Sequence, residues 1–440
     1  MSLAERVRRA GNDTDHASPQ RFQELERLRA AVYERLPASD IARMAEHNPQ
    51  LARSEIRTVC DQVFKGDAWS MRSAAERAEL VEELLDSVFG FGPLEGLLAD
   101  DRVTEIMVNG TSSVYYEVGG VLFRAGYRFS SDAQVRALID RIISPLGRRI
   151  DESSPSVDAR LPQGFRVHAI IPPIAIDGPA LTIRKFPSHT LRLCDMETSG
   201  SVEPEVARLL AWAVRARRNV AVTGGTGTGK TTILNALSCE IPAQERIVTI
   251  EDSAELRFSE HPHVVRLEAR PRNAEGVGEM TIRMLVVNAL RMRPDRIVVG
   301  ECRGGEALDM LQAMATGHDG SLTTLHANSP EDAVGRLAMM VRYAADLPID
   351  AIGSAIASAL DLIVQVSRSP DGRRYVSRMA EVERGPSGEG CRTKVVYARP
   401  LPDDQGRWTA LPRWVGELTR LGIERTEEVA AWQQRISLPS

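Results

Sequence analysis

Apolar and polar residues follow a helical spacing near the amino end of the chain. The stretch RFQELERLRAAVYERL repeats apolar residues such as Phe22, Leu25 and Leu28 at intervals of three and four, which predicts an amphipathic helix. The helical pattern extends over residues 21–86. Residues 1–20 are polar and small, and we expect them to form a disordered terminus.

The pattern changes in the stretch FGFGPLEGLLADDRVTEIMVNG. A glycine-proline break predicts a short helix, followed by an Asp-Asp turn and the strand TEIMV. The strand ends at Asn109-Gly110, a strong signal for a β-hairpin. Further short strands and one helix, SDAQVRALIDRIISPLG, continue the segment. Residues 87–193 are therefore expected to form a compact α+β domain.

Strands and helices alternate after a polar stretch at residues 194–204, which we expect to be a linker. Apolar strands such as NVAVTG, RIVTIED, RIVVGE and GSLTTLHA are separated by helices such as TTILNALSCE and GEALDMLQAMA. This alternation is typical of a largely parallel sheet covered by helices. Residues 205–440 are therefore expected to form an α/β domain with a carboxyl-terminal extension.

The stretch GGTGTGKTT carries the strongest chemical signal in the chain. It fits the spacing GxxxxGK[ST] and lies between an apolar strand and a helix. Glycines let successive N–H groups turn toward phosphate oxygens, the lysine reaches the β and γ phosphates, and the hydroxyl after it binds Mg²⁺. The sequence therefore predicts a nucleoside triphosphate site, formed by Gly224, Gly225, Thr226, Gly227, Thr228, Gly229, Lys230, Thr231 and Thr232.

Carboxylates follow two of the predicted strands. Glu301 ends the strand RIVVGE, at the edge where ligands bind in parallel sheets. It could be a surface residue in a turn, but we favour a carboxylate that supports Mg²⁺ binding. The stretch TIEDSAEL places Glu251, Asp252 and Glu255 at another strand end. One of them could cap a helix, whereas three together suit activation of water or Mg²⁺ binding.

Two histidines lie in the stretch TGHDGSLTTLHANS. From this stretch alone, the two histidines could be metal ligands, a catalytic base or solvated loop residues. His318 and His326 are separated by a turn and a strand, and no cysteine is near, which argues against a metal site. The strand SLTTLHA should lie in the sheet near the phosphate-binding strand, so we expect His326 at the nucleotide crevice and His318 at the preceding turn or a subunit boundary.

Composition narrows the class of protein. Of the 440 residues, 43% are hydrophobic and 26% charged, as in ordinary globular proteins, and the net charge of −5 argues against nucleic acid as a partner. Five cysteines without a CxxC pair suggest reduced thiols and argue against a zinc module. No signal-like segment or apolar run of membrane-spanning length is visible. We therefore expect a cytoplasmic protein that meets the membrane only through partners.

Together these motifs resemble the type II/IV secretion ATPases. The phosphate loop, the acidic box TIEDSAEL, the stretch VVGECRGGEALDMLQAMATGHDGS and the histidine box are all similar to that family. LRMRPDRIVVGE and TGHDGSLTTLHANSP look most like the CpaF/TadA branch, which powers assembly of tight-adherence pili. The resemblance covers about residues 85–370. It implies a RecA-like ATPase domain, a smaller PAS-like amino-terminal domain, and hexamers.

The resemblance also implies roles for individual residues. Lys230 and Thr231 would bind phosphate and Mg²⁺, Glu301 would support Mg²⁺, and Glu255 would be the catalytic base. His318 and His326 would act near the γ-phosphate and a domain or subunit boundary.

Arginines are the remaining part of the implied site. Arg166 in QGFRV and Arg184 in TIRK match arginines of the family that reach the phosphates. The chain departs from the branch at Val287, where arginine is frequent, and at Gln163 and Phe165, where aspartate and serine are common. Weaker arginine candidates are Arg270, Arg272, Arg291 and Arg293.

The implied function is ATP hydrolysis with Mg²⁺ by a homo-hexamer. Its domain motions would drive inner-membrane platform proteins of a pilus or secretion system, and the protein would associate peripherally with the inner face of the cytoplasmic membrane. Two alternatives stay open at this point. One is a RecA-like nucleic-acid motor, and the other is a nucleotide-gated scaffold with little turnover.

Overall fold

The chain forms two compact units, Met1–Ser188 and His189–Ser440, in a computed structural model. The disordered terminus expected at 1–20 lies outside the described residues, apart from the first two residues of a helix. The structure describes residues 19–37, 40–41, 43–44, 48–66, 69, 73–126, 128–129, 131–186, 190–258, 260–270, 272, 277–386, 388 and 390–436.

Among the described residues, the amino-terminal part of the first unit includes the helices α1 (Pro19–Arg35), α2 (Pro49–Val63) and α3 (Ala74–Phe89). The stripe predicted for α1 is confirmed, since Leu28 and Val32 are fully buried in a small apolar core shared by the three helices. Ser73 begins α3 with a capping box, in which its hydroxyl accepts from the amide of Glu76 and the Glu76 carboxylate accepts from the amide of Ser73.

A six-stranded antiparallel sheet completes the first unit, in the order β3-β2-β1-β6-β5-β4. One face packs on α5, and the hairpin predicted at Asn109-Gly110 joins β1 to β2. The sequence patterns missed β4, which is short and mostly polar. The elements are α4 (Glu95–Ala99), β1 (Val103–Asn109), β2 (Ser113–Val118), β3 (Val121–Arg124), α5 (Asp132–Ile143), β4 (Ser156–Arg160), β5 (Arg166–Ile170) and β6 (Ala180–Arg184).

The second unit is an α/β domain built on a nine-stranded sheet in the order β15-β14-β13-β12-β7-β11-β10-β8-β9. Its elements are α6 (Leu193–Thr198), α7 (Pro204–Arg215), β7 (Val220–Thr223), α8 (Lys230–Ser238), β8 (Ile247–Glu251), β9 (Val264–Glu268), α9 (Ile282–Ala289), β10 (Arg296–Val299), α10 (Glu306–Ala315), β11 (Leu322–Leu325), α11 (Pro330–Ala344), α12 (Ile349–Ala359), β12 (Leu362–Arg368), β13 (Arg374–Arg384), β14 (Cys391–Ala398), β15 (Arg407–Trp408) and α13 (Thr426–Arg435).

The parallel sheet predicted for this unit is confirmed. Strands β12, β7, β11, β10, β8 and β9 run parallel, and β13, β14 and β15 add an antiparallel edge. One apolar core lies between the sheet and α7, α8 and α13, and the other lies between the sheet and α9 to α12. Because both faces are covered, β7, β8, β10 and β11 are buried along their whole length.

The segment 194–204 differs from the linker that its composition suggests. It contains most of α6, whose Leu193 and Met196 are buried in the same core as Trp212. The two units divide ahead of it, between Ser188 and His189. Residues 194–198 thus belong to a helix, and residues 199–203 form the turn that leads into α7. None of the helices that the structure describes combines the length and apolar character that crossing a bilayer requires.

Candidate active site

The phosphate-loop motif connects the central strand β7 to α8. Gly229 adopts a φ of 97° immediately before the helix, a left-handed conformation that favours glycine. Gly224 is required by close packing, since a β-carbon there would lie 2.5 Å from the carbonyl oxygen of Val366 and 2.6 Å from Oγ1 of Thr228. The loop is therefore held against strand β12, with the amino end of α8 at its exit, as an anion-binding turn requires.

Lys230 folds back over this loop. Its side chain is buried, and Nζ donates to the carbonyl oxygens of Gly224 at 3.2 Å and Gly225 at 2.9 Å. Burial lowers the pKa of the amine, and Arg303 lowers it further, whereas Glu301 raises it. A desolvated cation inside the loop lies where a bound phosphate would meet it.

His326 lies directly after β11, the parallel neighbour of β7. Its Nδ1 is 3.4 Å from Nζ of Lys230, and its Nε2 is 2.8 Å from Oε1 of Glu301. The second contact lacks hydrogen-bond geometry, so Oε1 has no hydrogen bond within the described residues. Burial and the charge of Lys230 lower the pKa of the imidazole, which favours its neutral form at pH 7.

Glu301 follows β10, and its second oxygen is held by a residue that the sequence patterns missed. Nη2 of Arg303 donates to Oε2 of Glu301 at 2.6 Å, and this bond raises the pKa of the guanidinium. Lys230, His326, Glu301 and Arg303 thus form a continuous row from the phosphate loop across the ends of β11 and β10. Only the position of Arg303, two residues after a predicted strand-end carboxylate, could have indicated it.

The three carboxylates of the acidic box have different environments. Glu251 is buried at the end of β8, and its Oε2 accepts from the amides of Glu255 at 2.6 Å and Leu256 at 2.7 Å. Burial raises its pKa to about 7. Asp252 is exposed and Glu255 half-buried. Glu251 therefore fixes the backbone that carries Glu255.

Electrostatics links this box to the row across the strand ends. Asp252 and Glu255 both raise the pKa of Arg303, and Glu255 raises that of Lys230. A β-carbon at Gly300 would lie 2.8 Å from Cγ of Glu251, so the residue before Glu301 packs directly on the acidic box. The structure thus brings Lys230, Glu255, Glu301 and His326 into one charged neighbourhood, at the carboxyl ends of parallel strands.

His318 lies elsewhere. It is in the turn that we expect, before β11, and Nδ1 is 3.3 Å from the carbonyl oxygen of Ala313 near the end of α10. His318 therefore lies before the amino end of β11, whereas His326 lies after its carboxyl end. Within this unit the two histidines do not meet at the phosphate loop. No group of three metal-binding side chains occurs in the part of the chain that the structure describes.

The amino-terminal arginines lie on the open face of the first unit's sheet. Arg166 begins β5 and is the direct cross-strand partner of both Arg184 on β6 and Arg160 on β4. Nη2 of Arg166 is 3.7 Å from Oδ1 of Asp158, a loose and partly exposed pair. Three arginines therefore lie side by side at one end of β4, β5 and β6. Arg160 is the one that the sequence patterns missed.

Two of the weaker arginine candidates donate hydrogen bonds to residues close to them in sequence, and the other two make no side-chain hydrogen bond among the described residues. Nε of Arg270 donates to the carbonyl of Gly278 at 2.7 Å, and Nε of Arg272 donates to Glu279 at 3.1 Å. Arg293 adopts a φ of 53° after α9. No hydrogen bond from the side chain of Arg291 or Arg293 is present among the described residues.

The fold and the site together define a class of protein. A glycine-rich phosphate loop between a central parallel strand and a helix, with a lysine, a strand-end carboxylate and a histidine beside it, is the arrangement of a P-loop ATPase with a RecA-like domain.

Comparison with known proteins narrows this class to a family. Residues 88–399 match the family model described as Type II/IV secretion system protein, so the chain belongs to the type II/IV secretion ATPase family. A protein of Mycobacterium tuberculosis named for conjugal transfer is 42% identical over 322 residues, which are 72% of this chain and 91% of that protein. PtlH, a type IV secretion system protein of Bordetella pertussis, is 34% identical over 341 residues, which are 71% of this chain and 96% of PtlH.

Two solved structures are among the proteins that the chain resembles. The VirB11 ATPase of the Brucella suis type IV secretion system is 32% identical, with a TM-score of 0.36 and coverage of 68% of this chain and 96% of that one. The ATPase DotB of Yersinia pseudotuberculosis is 17% identical, with a TM-score of 0.50 and coverage of 79% and 94%. The likeness to DotB concerns the fold alone.

Proposed function

We propose that this chain hydrolyses ATP to ADP and phosphate within a hexameric ring, and that its domain motions drive assembly of a tight-adherence pilus. The observation that carries the catalytic part is the row of Lys230, His326, Glu301 and Arg303 beside the phosphate loop. The pilus and the ring rest on the sequence motifs that resemble the CpaF/TadA branch.

Binding of the triphosphate begins at the loop. The amides of residues 224–232 would surround the phosphates, and Lys230 would exchange its bonds to the carbonyls of Gly224 and Gly225 for phosphate oxygens. Because the amine is already desolvated, little reorganisation is needed when charge develops on the γ-phosphate.

Thr231 and Glu301 are the residues that would hold Mg²⁺. Hydroxyl and carboxylate oxygens are ligands that this ion prefers, and Oε1 of Glu301 is a buried oxygen without a hydrogen bond among the described residues. The bound ion would neutralise charge on the β and γ phosphates.

Glu255 is the proposed general base. Its side chain is half-buried, and its backbone amide donates to Glu251, so the segment that carries Glu255 is held to the end of β8. It would take a proton from the attacking water. His326, neutral and next to Lys230, would contact the γ-phosphate and register its loss, and His318 would act at a subunit boundary.

Arg166 and Arg184 would bring positive charge to the phosphates from the PAS-like domain. Their direct cross-strand pairing supports a joint role, since paired guanidinium groups can each fork onto phosphate oxygens. Opening and closing of the two units around the nucleotide would then follow its hydrolysis.

The output of the ring would pass to inner-membrane platform proteins, with the ATPase bound peripherally at the cytoplasmic face. Relatives named for secretion and conjugal transfer support a role in macromolecular export.

The test combines turnover with oligomeric state. Wild-type protein is measured for ATP hydrolysis and by mass photometry with and without ATP and Mg²⁺. Glu255→Gln is measured in the same way, beside the matched control Glu427→Gln at an exposed position of α13. We expect Glu255→Gln to lose at least about 10²-fold in kcat while still binding ADP. The control should hydrolyse ATP like wild type.

Other outcomes would redirect the proposal. Undiminished turnover in Glu255→Gln would remove the assigned base, and a monomer at every concentration would remove the ring. Turnover stimulated by DNA in a salt-dependent manner would favour a nucleic-acid motor. ATP binding without turnover would favour a nucleotide-gated scaffold.

A further inference from the structure

A hairpin on the other side of the phosphate loop carries two arginines that the preceding mechanism does not use. Strand β12 pairs in parallel with β7 on the side away from β11, and then runs past the loop. At its end Arg368 is the direct cross-strand partner of Arg374 on β13. This hairpin tip brings both side chains beside the loop.

Distances to the loop glycines place these arginines. A β-carbon at Gly227 would lie 4.0 Å from Nη1 of Arg368, and one at Gly229 would lie 3.5 Å from Cδ of Arg374. The same position at Gly229 is 3.9 Å from Oγ1 of Thr232, in the first turn of α8. The arginines therefore flank the last part of the loop and the start of the helix.

Neither guanidinium has a hydrogen bond or an ion pair within the part of the chain that the structure describes, and both side chains are exposed. Arg373, between them in sequence, is different. It donates to the carboxylates of Asp371 and Asp403, which hold it at the tip of the hairpin. The hairpin thus neutralises one arginine and leaves two cations next to a loop built for anions.

We propose that Arg368 and Arg374 bind the α- and β-phosphates of the nucleotide, the diphosphate that ATP and ADP share. This inference rests on the proposed function, which assigns the γ-phosphate to His326 on the opposite side of β7 and places Lys230 between the β and γ phosphates. Two forked guanidinium groups beside Thr232 match the oxygens of a diphosphate lying along the start of α8.

The consequence is a specific pattern of affinities. Replacing both arginines should weaken ADP and ATP by the same factor, roughly 10- to 100-fold, because charge-assisted hydrogen bonds to the shared diphosphate are lost. Inorganic pyrophosphate should lose its ability to displace ADP to a similar degree. Arg374→Lys should fall between wild type and Arg374→Gln, since it keeps the charge and loses the fork.

The experiment uses the full chain and titrates ADP by calorimetry. Arg368→Gln, Arg374→Gln and the double variant are compared with wild type and with Arg378→Gln, an exposed arginine farther along β13. Thermal unfolding confirms that each variant is folded. A loss of ADP affinity in the double variant, with Arg378→Gln unchanged, is the expected result.

Two results would overturn the inference. A folded double variant that binds ADP within about twofold of wild type would remove it while leaving the proposed function intact. An equal loss of affinity for adenosine would mean that the pair recognises the base rather than the diphosphate. A wild-type chain that binds no ADP would instead contradict both the proposed function and this inference.

Discussion

Nδ1 of His326 lies 3.4 Å from Nζ of Lys230, so the histidine at the end of β11 contacts the lysine of the phosphate loop directly. Burial lowers the pKa of both groups, and the charge of Lys230 lowers the pKa of His326 further. A neutral imidazole can accept a hydrogen bond from the amine at Nδ1. The charge of Lys230 therefore influences whether His326 is protonated.

Substitution of His326 tests this contact. We expect His326→Ala to lower kcat for ATP hydrolysis by roughly 10- to 100-fold, as for loss of one polar group at a charged transition state, while the protein stays folded. ADP affinity should change much less. Steady-state kinetics and calorimetry measure the two effects.

The matched control is His263→Gln. His263 lies before β9, whereas His326 follows β11, the neighbour of the strand that leads into the phosphate loop. Turnover and pilus assembly at wild-type levels in His326→Ala would return this residue to the status of a solvated loop histidine.

Removal of Arg303 should move the pH dependence of turnover. Arg303 lowers the pKa of His326 and holds Oε2 of Glu301, whose own charge raises the pKa of His326. In Arg303→Gln the imidazole therefore stays protonated to higher pH. If the neutral form is required, the acidic limb of the kcat profile shifts to higher pH. The measurement is kcat between pH 5.5 and 8.5, and a limb that stays in place or moves to lower pH would contradict the arrangement.

Glu251 makes stability depend on pH. Its pKa is raised from 4.5 to about 7 by burial, so the folded state binds this proton more tightly than the unfolded state. The contribution to stability is therefore present below about pH 4.5 and is lost as pH rises to about 7, by up to about 3 kcal/mol. Glu251→Gln removes this ionisation and keeps an oxygen for the amides of Glu255 and Leu256.

Thermal midpoints from pH 5 to pH 8 measure the effect. We expect Glu251→Gln to gain stability relative to wild type as pH rises through this window. A difference between the two proteins that is the same at every pH would show that Glu251 does not titrate there.

Gly300 should not tolerate a side chain. A β-carbon there would lie 2.8 Å from Cγ of Glu251, closer than such contacts allow, and neither the strand nor the buried glutamate can move far. Gly300→Ala should cost about 1–3 kcal/mol of stability and disturb the position of Glu301, with a loss of turnover.

Gly335 on α11 is the control, because a β-carbon there meets nothing within 4 Å. Gly335→Ala should stabilise the protein by about 0.5–1 kcal/mol and leave turnover unchanged. Denaturant unfolding and ATPase assays on both variants check the pair. Equal stability of the two alanine variants would mean that Gly300 has more room than this contact indicates.

The apolar strands were predictable because burial on both faces leaves an unbroken apolar run, as in β7 and β10. Strand β13 was missed because charged residues interrupt it. Its Glu381 and Glu383 are buried and paired with arginines far along the chain, among them Arg413, so no local pattern could reveal the strand.

The same limit applies to the site. Glycine spacing identified the phosphate loop, and the place of His326 followed from the parallel order of strands. The contacts of Arg303 and of Arg368 depend on side-chain directions and on the pairing of β12 with β7, which no short motif records.

Strand β7 lies between β11 and β12, so the phosphate loop that follows it has a neighbouring strand on each side. On the β11 side, the proposed contact of His326 exists only while a γ-phosphate is present, whereas Lys230 also meets the β-phosphate that ADP keeps. On the β12 side, the proposed contacts of Arg368 and Arg374 are the same for ATP and ADP. Cleavage would therefore break the contact of His326 first, so that loss of phosphate and departure of ADP become two events that a ring of subunits can time independently.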